Sequence, residues 1–214
     1  MVDWPENLVS DIARRRSVIL VGAGVSAQAI SETGKKPPTW KEFLSECNTN
    51  SPGGAAPHIS KAIADGDLLH ACEWLKRRYD YRWRDKLRSV FSEPRFQPTE
   101  VHKNIALLDS RINFSLNFDD IFERALNEVH GGTCVQKSYF DEDVSEFLRG
   151  TARYAIKVHG SLNATEKIIF TQGQYAKARI EASSFYSAFD SALMTHTFLF
   201  SGNRTYGPRH QPYP

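Results

Sequence analysis

The stretch Ser17-Val18-Ile19-Leu20-Val21-Gly22-Ala23-Gly24-Val25-Ser26-Ala27-Gln28-Ala29-Ile30-Ser31-Glu32 decides the fold. A short β-branched run, Val18 to Val21, stops at Gly22-Ala23-Gly24. Apolar residues at every position of a short run read as a strand buried on both faces, as in a parallel sheet. Gly22, Gly24 and Ala27 fit the G-x-G-x-x-G/A spacing of a dinucleotide-binding turn. Glycine there permits a tight turn and a close approach by phosphates. The same two glycines also fit a plain strand-to-helix turn with no ligand, and the spacing alone leaves both readings open.

Moving outward, the usual hydride-transfer fingerprint breaks off. Such a domain places a second strand ending in Asp or Glu about 20 residues on, to hold the ribose. Here that region is Pro37-Pro38-Thr39-Trp40-Lys41-Glu42-Phe43-Leu44. Thr39 and Glu42 form a capping-box pattern at the start of a helix whose Trp40, Phe43 and Leu44 share a face. Glu42 reads as a capping residue, which argues against an ordinary dehydrogenase.

Helices are expected over 39–47, 58–65, 67–79, 82–91 and 99–109, separated by Ser51-Pro52-Gly53-Gly54, Gly66-Asp67 and the Pro94 to Pro98 segment. A short amphipathic helix carrying Leu8, Ile12 and Ala13 precedes the first strand. The α/β alternation resumes with a strand over 112–116, the turn Asn117-Phe118-Asp119-Asp120, and a helix over 121–129 stopped by Gly131-Gly132. Strands are next expected over 133–136 and 154–158, the latter ending at His159-Gly160-Ser161, with an additional strand over 167–170. One helix is expected over 173–194 and a last strand over 197–200. The expected fold is α/β: a Rossmann-like parallel sheet with an inserted helical subdomain. The 214 residues form one domain, its core at about 8–30 and 110–202 and its helical insertion at about 39–109.

Composition removes several classes. With 41% hydrophobic residues and no apolar run near the roughly 20 residues that cross a bilayer, the sequence is not that of a helical membrane protein. Met1 to Glu6 lacks the basic and apolar regions of a signal peptide, so a cytoplasmic location is expected. Cys47, Cys72 and Cys134 form no C-x-x-C pair, so no metal site is expected. A net charge of +2 gives no general attraction to nucleic acid. The basic-aromatic stretch Lys76 to Arg84 fits a nucleic-acid or partner patch, and equally the solvated face of two helices with buried aromatics.

Three strand ends thus carry polar or glycine-rich turns: Gly22-Ala23-Gly24, Asn117-Phe118-Asp119 and His159-Gly160. Ligands of open parallel sheets bind outside the carboxyl ends of the strands. Asn117 and Asp119 also suit a helix cap, and His159 a structural histidine. In this order the segments resemble the sirtuin-like (SIR2-like) NAD-consuming domain, over roughly residues 15–200. Gly22-Ala23-Gly24-Val25-Ser26 is similar to the family's G-A-G-[IV]-S turn. Leu116-Asn117-Phe118-Asp119 resembles its T-x-N-[IY]-D segment, and Lys157-Val158-His159-Gly160-Ser161 its strand followed by H-G. The chain lacks the two C-x-x-C pairs of the deacylases' zinc ribbon, and Ser31 to Lys36 replaces their Pro-Asp-Phe-Arg segment. Of the family's last motif, Phe200-Ser201-Gly202-Asn203-Arg204 keeps only the glycine.

The branch it resembles most is that of the bacterial antiphage-defence proteins that hydrolyse NAD. The resemblance implies an NAD glycohydrolase, with NAD as substrate and no metal. His159 would be the base and Asn117 the residue that places a ribose hydroxyl and a water. Gly22, Ala23, Gly24 and Ser26 would hold the pyrophosphate, and Asp119 would touch the nicotinamide amide or brace its own loop. Other activities within the resemblance are a protein deacylase or ADP-ribosyltransferase, and a non-catalytic NAD or ADP-ribose sensor. Beyond the last strand lies Arg204 to Pro214, with three prolines and no helical period. A homo-oligomer or a partner defence protein is therefore expected to complete the site, with little activity from the monomer.

Overall fold

The computed structural model describes residues 3–202, so the loop expected over Arg204–Pro214 lies outside the described residues. The elements run α1 (Glu6–Ala13), β1 (Ser17–Val21), α2 (Ala23–Ser26), α3 (Trp40–Thr49), α4 (Pro57–Asp65), α5 (Leu68–Tyr79), α6 (Arg82–Phe91), α7 (Glu100–Ala106), β2 (Ile112–Ser115), α8 (Ile121–Val129), β3 (Cys134–Ser138), β4 (Arg153–Lys157), α9 (Gln172–Glu181), α10 (Ser183–Thr195) and β5 (Thr197–Ser201). Two 3₁₀ segments, Val144–Leu148 and Leu162–Lys167, flank β4.

The strands form one five-stranded sheet in the order β3-β4-β2-β1-β5, and every pair is parallel. β1 and β2 are buried throughout, while the edge strands β3 and β5 are half-covered. Alternation along β1 sends Val18 and Leu20 to one face and Ile19 and Val21 to the other. The first face packs with Phe114, Ile156, Phe147 and the α10 residues Phe185 and Ala188. The second packs with Ala106 of α7 and Phe122 and Leu126 of α8. This is the doubly covered α/β sheet expected from the sequence.

The helical block between β1 and β2 has its own core of Phe43, Leu44, Cys47, Ile59, Leu75, Trp83 and Leu87. Its helices start as the sequence indicates. Thr39 N–H donates to Glu42 Oε2 at 2.7 Å and Glu42 N–H donates to Thr39 Oγ1 at 3.3 Å, so Glu42 caps α3. Gly66 ends α4 at φ +83°, a left-handed conformation that glycine adopts without strain. α7 lies instead in the layer over the sheet. In the basic-aromatic stretch, Tyr79 and Trp83 are buried in this core and Tyr81 is exposed.

Two expectations fail. Residues 167–170 add no strand. Ile168 and Phe170 turn into the helical core and Ile169 into the sheet core, because both edges of β4 are already paired. An apolar run buried on both sides matches a strand in pattern without being one. The helix expected over 173–194 is two, α9 and α10, broken at Ala182, whose φ of −112° and ψ of 40° are not helical. Among the described residues, no helix is long and apolar enough to cross a membrane.

The register places the carboxyl ends of all five strands in one row: Ser138, Lys157, Ser115, Val21 and Ser201. The turn leaving each strand therefore meets the turns leaving its neighbours. At β1 and β5 the approach is close. Gly22 N–H donates to Ser201 O at 2.9 Å and Gly24 N–H to Gly202 O at 2.8 Å. A Cβ on Gly24 would stand 2.7 Å from Gly202 O. Gly24→Ala is expected to destabilise the fold by about 1–3 kcal/mol, as overpacking against backbone does. Urea unfolding should show a lower midpoint at unchanged slope.

Candidate functional site

The site is built outward from that row of strand ends. Ser26, in the short helix after the glycine turn, is buried, and its Oγ accepts from Asn117 Nδ2 at 2.9 Å. The same Nδ2 donates to Gly22 O at 2.9 Å. Asn117 N–H in turn meets Ser115 Oγ at 3.3 Å. One amide side chain thus ties the end of β2 to the turn after β1. The sequence-expected residues Gly22, Gly24, Ser26 and Asn117 are brought together. Gly22 and Gly24 already spend their N–H groups on Ser201 and Gly202. The glycine at position 24 thus answers first to the Gly202 backbone, which a reading of the turn as a phosphate cradle did not include.

Asp119 is buried just before α8, its Oδ1 accepting from the N–H of Ile121, the first residue of that helix, at 3.2 Å. Its side-chain contact is with the backbone of its own loop. Its carbonyl, like that of Asn117, accepts from the ammonium of Lys157, the last residue of β4.

His159 lies just beyond β4 and is half-buried. Its Nε2 lies 3.2 Å from the hydroxyl of Tyr175 on α9, with the rings edge to face. Burial pushes the His159 pKa down to about 4, against a hydrogen bond to the Leu116 backbone that pulls it up. The ring is therefore neutral near pH 7. A proton on the nitrogen facing the Leu116 carbonyl leaves Nε2 to accept from Tyr175. Gly160 turns the chain away at φ +83°, with Lys167 O where a Cβ would stand.

Three further residues belong to this neighbourhood and were not singled out in the sequence: Lys157, Glu123 and Tyr175. Lys157 and Glu123 are almost fully buried, with Nζ 2.8 Å from Glu123 Oε1. A signal existed for both. A lysine closing an apolar strand, and a glutamate beside Phe122 on a helix with a wide apolar face, each need a buried partner. Tyr175 lies on α9 with no local pattern to mark it. A cavity of about 580 Å³ opens beside the site over β3 and β4, lined by Phe118, Glu123, Arg124, Ser138, Lys157 and Ser161 among others. None of the sequence-expected residues lines it. Cys47 and Cys72 are buried free thiols, raised by burial, and no group of His, Cys, Asp or Glu suited to a metal occurs among the described residues.

A five-stranded parallel sheet with an asparagine and a histidine at neighbouring strand ends makes this an α/β protein of the Rossmann-like class. Residues 111–208, which hold Asn117, Asp119 and His159, match the family model described as SIR2-like domain. The chain is 26% identical over 203 residues to the protein named NAD(+) hydrolase ThsA of Acinetobacter baumannii (strain 532279), covering 92% of this chain and 38% of that one. It is 27% identical over 104 residues to NAD(+) hydrolase ThsA of Bacillus cereus (strain MSX-D12), 49% of this chain and 21% of that one. It is also 27% identical over 200 residues to the uncharacterized protein y4cA of Sinorhizobium fredii (strain NBRC 101917 / NGR234), 84% of this chain and 16% of that one. The chain therefore spans less than two fifths of the length of each of these relatives.

The depressed pKa of His159 has a stability consequence with a definite sign. The unfolded ring titrates near 6.5 and the folded ring near 4. Its contribution is complete above pH 6.5 and is lost as pH falls through that window, because the unfolded state binds the proton first. Thermal melts across this range should show wild type losing more stability than His159→Gln. Parallel losses in the two proteins would contradict a ring held neutral by its surroundings.

Proposed function

We propose that the chain is an NAD glycohydrolase, splitting NAD and water into nicotinamide and ADP-ribose. The single observation that carries the reading is the placement of Asn117 and His159 on adjacent strand ends, with Asn117 bonded to the Gly22–Ser26 turn. The names borne by two similar proteins point the same way.

The chemistry asks little of a base. The bond from C1′ of the ribose to the nicotinamide nitrogen breaks with its electron pair leaving on nicotinamide, and C1′ passes through an oxocarbenium-like state. Water adds to C1′ and gives up a proton. That oxygen is already bonded to a cationic centre, so a neutral, weakly basic His159 suffices to take it. Asn117 orients a ribose hydroxyl and the water. Ser26 and the turn after β1 face the pyrophosphate, and a ribose hydroxyl replaces Tyr175 at His159 Nε2.

In the structure these groups satisfy one another. The Asn117 amide is held by Gly22 and Ser26, the His159 nitrogen by Tyr175, and the glycine amides by β5 and Gly202. A site closed on itself suits a domain kept off until a second copy or a partner protein opens it, as NAD depletion in antiphage defence in the cytoplasm would require. It equally suits a module that binds NAD or ADP-ribose without turnover, and the assay separates the two.

Purified protein incubated with NAD should release nicotinamide, most strongly in its oligomeric or partner-bound form, as judged by light scattering alongside the assay. His159→Ala and Asn117→Ala should each lower kcat by about 100-fold or more while remaining folded. Asp119→Asn, which keeps an acceptor for Ile121 N–H, should be milder. NAD binding without nicotinamide release in every assembly state would favour the sensor, and full turnover by His159→Ala would sink the assignment of the base.

A further inference from the structure

Lys157 closes β4 with its ammonium almost fully buried, and a lysine has three N–H donors to satisfy. Two main-chain oxygens accept from it, and one carboxylate pairs with its charge. Asn117 O is 3.0 Å away, Asp119 O is in contact, and Glu123 Oε1 is 2.8 Å away. Ser115 Oγ lies further out at 3.5 Å. The two carbonyls bracket Phe118, in the turn that presents Asn117. Glu123 lies on α8, whose first residue, Ile121, donates its N–H to Asp119 Oδ1. A charge in this place is costly to bury, and apolar residues would fill the space at lower cost. The ion pair is thus placed where it grips two main-chain oxygens of one turn, rather than between two side chains alone.

We propose that Lys157, held by Glu123, is a positioning residue that clamps the Asn117–Asp119 turn and so fixes the Asn117 amide against Gly22 and Ser26. This rests on the reading of Asn117 as the residue that orients ribose and water. Lys157 touches neither and acts through Asn117. A misplaced turn costs rate in the bound complex more than it costs binding, because orientation is what the turn supplies.

The test is the pair Lys157→Met with Glu123→Leu, which leaves no buried charge without its partner. The double variant is expected to melt close to wild type. Its kcat for nicotinamide release should fall about tenfold or more with KM for NAD changed less than about threefold. Amide exchange over residues 116–121, measured by mass spectrometry, should quicken. Glu123→Gln alone removes the charge that holds Lys157 but leaves its bonds to both carbonyls, so its kcat should fall less than that of the double variant. A folded double variant with wild-type kcat and wild-type exchange over 116–121 overturns the proposal, as does a folded Glu123→Gln without activity. If the double variant does not fold, Lys157→Gln with Glu123→Gln carries the same measurements, its side chain being one atom too short to hold both carbonyls. If wild type releases no nicotinamide, the hydrolase reading fails on its own, and the exchange measurement still decides whether the clamp exists.

Discussion

The parallel register of β1, β2 and β4 is the constraint on which the rest depends. Val21, Ser115 and Lys157 stand side by side, so the turns leaving them are neighbours by construction. Side-chain contacts alone could not bring Gly22 and Asn117 together, with His159 on the next strand end, from such distant parts of the chain. The sheet does it through backbone hydrogen bonds, and β1 and β2 are buried too completely to slip by one residue without turning their apolar side chains to the wrong face. The core and the site are therefore not separable. The strand order that buries Val18, Phe114 and Ile156 also sets the spacing of the polar groups at the sheet's end.

The central strands were legible because burial on both faces writes an unbroken apolar run, as in Val18 to Val21. The helices of the insertion were legible because local chemistry marks their ends: Thr39 and Glu42 at one start, Gly66 at one stop. The run at 167–170 misled because the same apolar pattern serves a segment wedged between two cores. The break at Ala182 carries no glycine or proline, so nothing local announces it. At the site, the strand-end positions of Asn117 and His159 were readable, whereas their partners were not. Lys157 and Tyr175 meet them only through tertiary packing, and although Ser26 was expected at the site, its bond to Asn117 is not written in their spacing.

Burial does two different things to ionisable groups here. It withholds the proton from His159, which keeps an acceptor nitrogen at neutral pH and makes it a feeble base. It lifts the Glu123 carboxyl above its ordinary range, against the pull of Lys157. Both groups lie within one layer at the carboxyl end of the sheet. A low-dielectric surround strengthens the hydrogen bonds among them and makes any unmet polar atom expensive, so the network favours one arrangement of its turns.

Among the described residues β5 pairs with β1 alone, and it is to β5 and the glycine beyond it that the turn after β1 gives its amide protons. Opening is cheapest at the margins of a sheet and dearest at its centre. The innermost strand of the fold therefore ends in a turn whose shape is underwritten by the outermost one. Whatever settles or disturbs that border strand is felt at Gly22 and Gly24 without passing through the hydrophobic core. Peripheral order and the readiness of the turn's donors become a single thermodynamic variable.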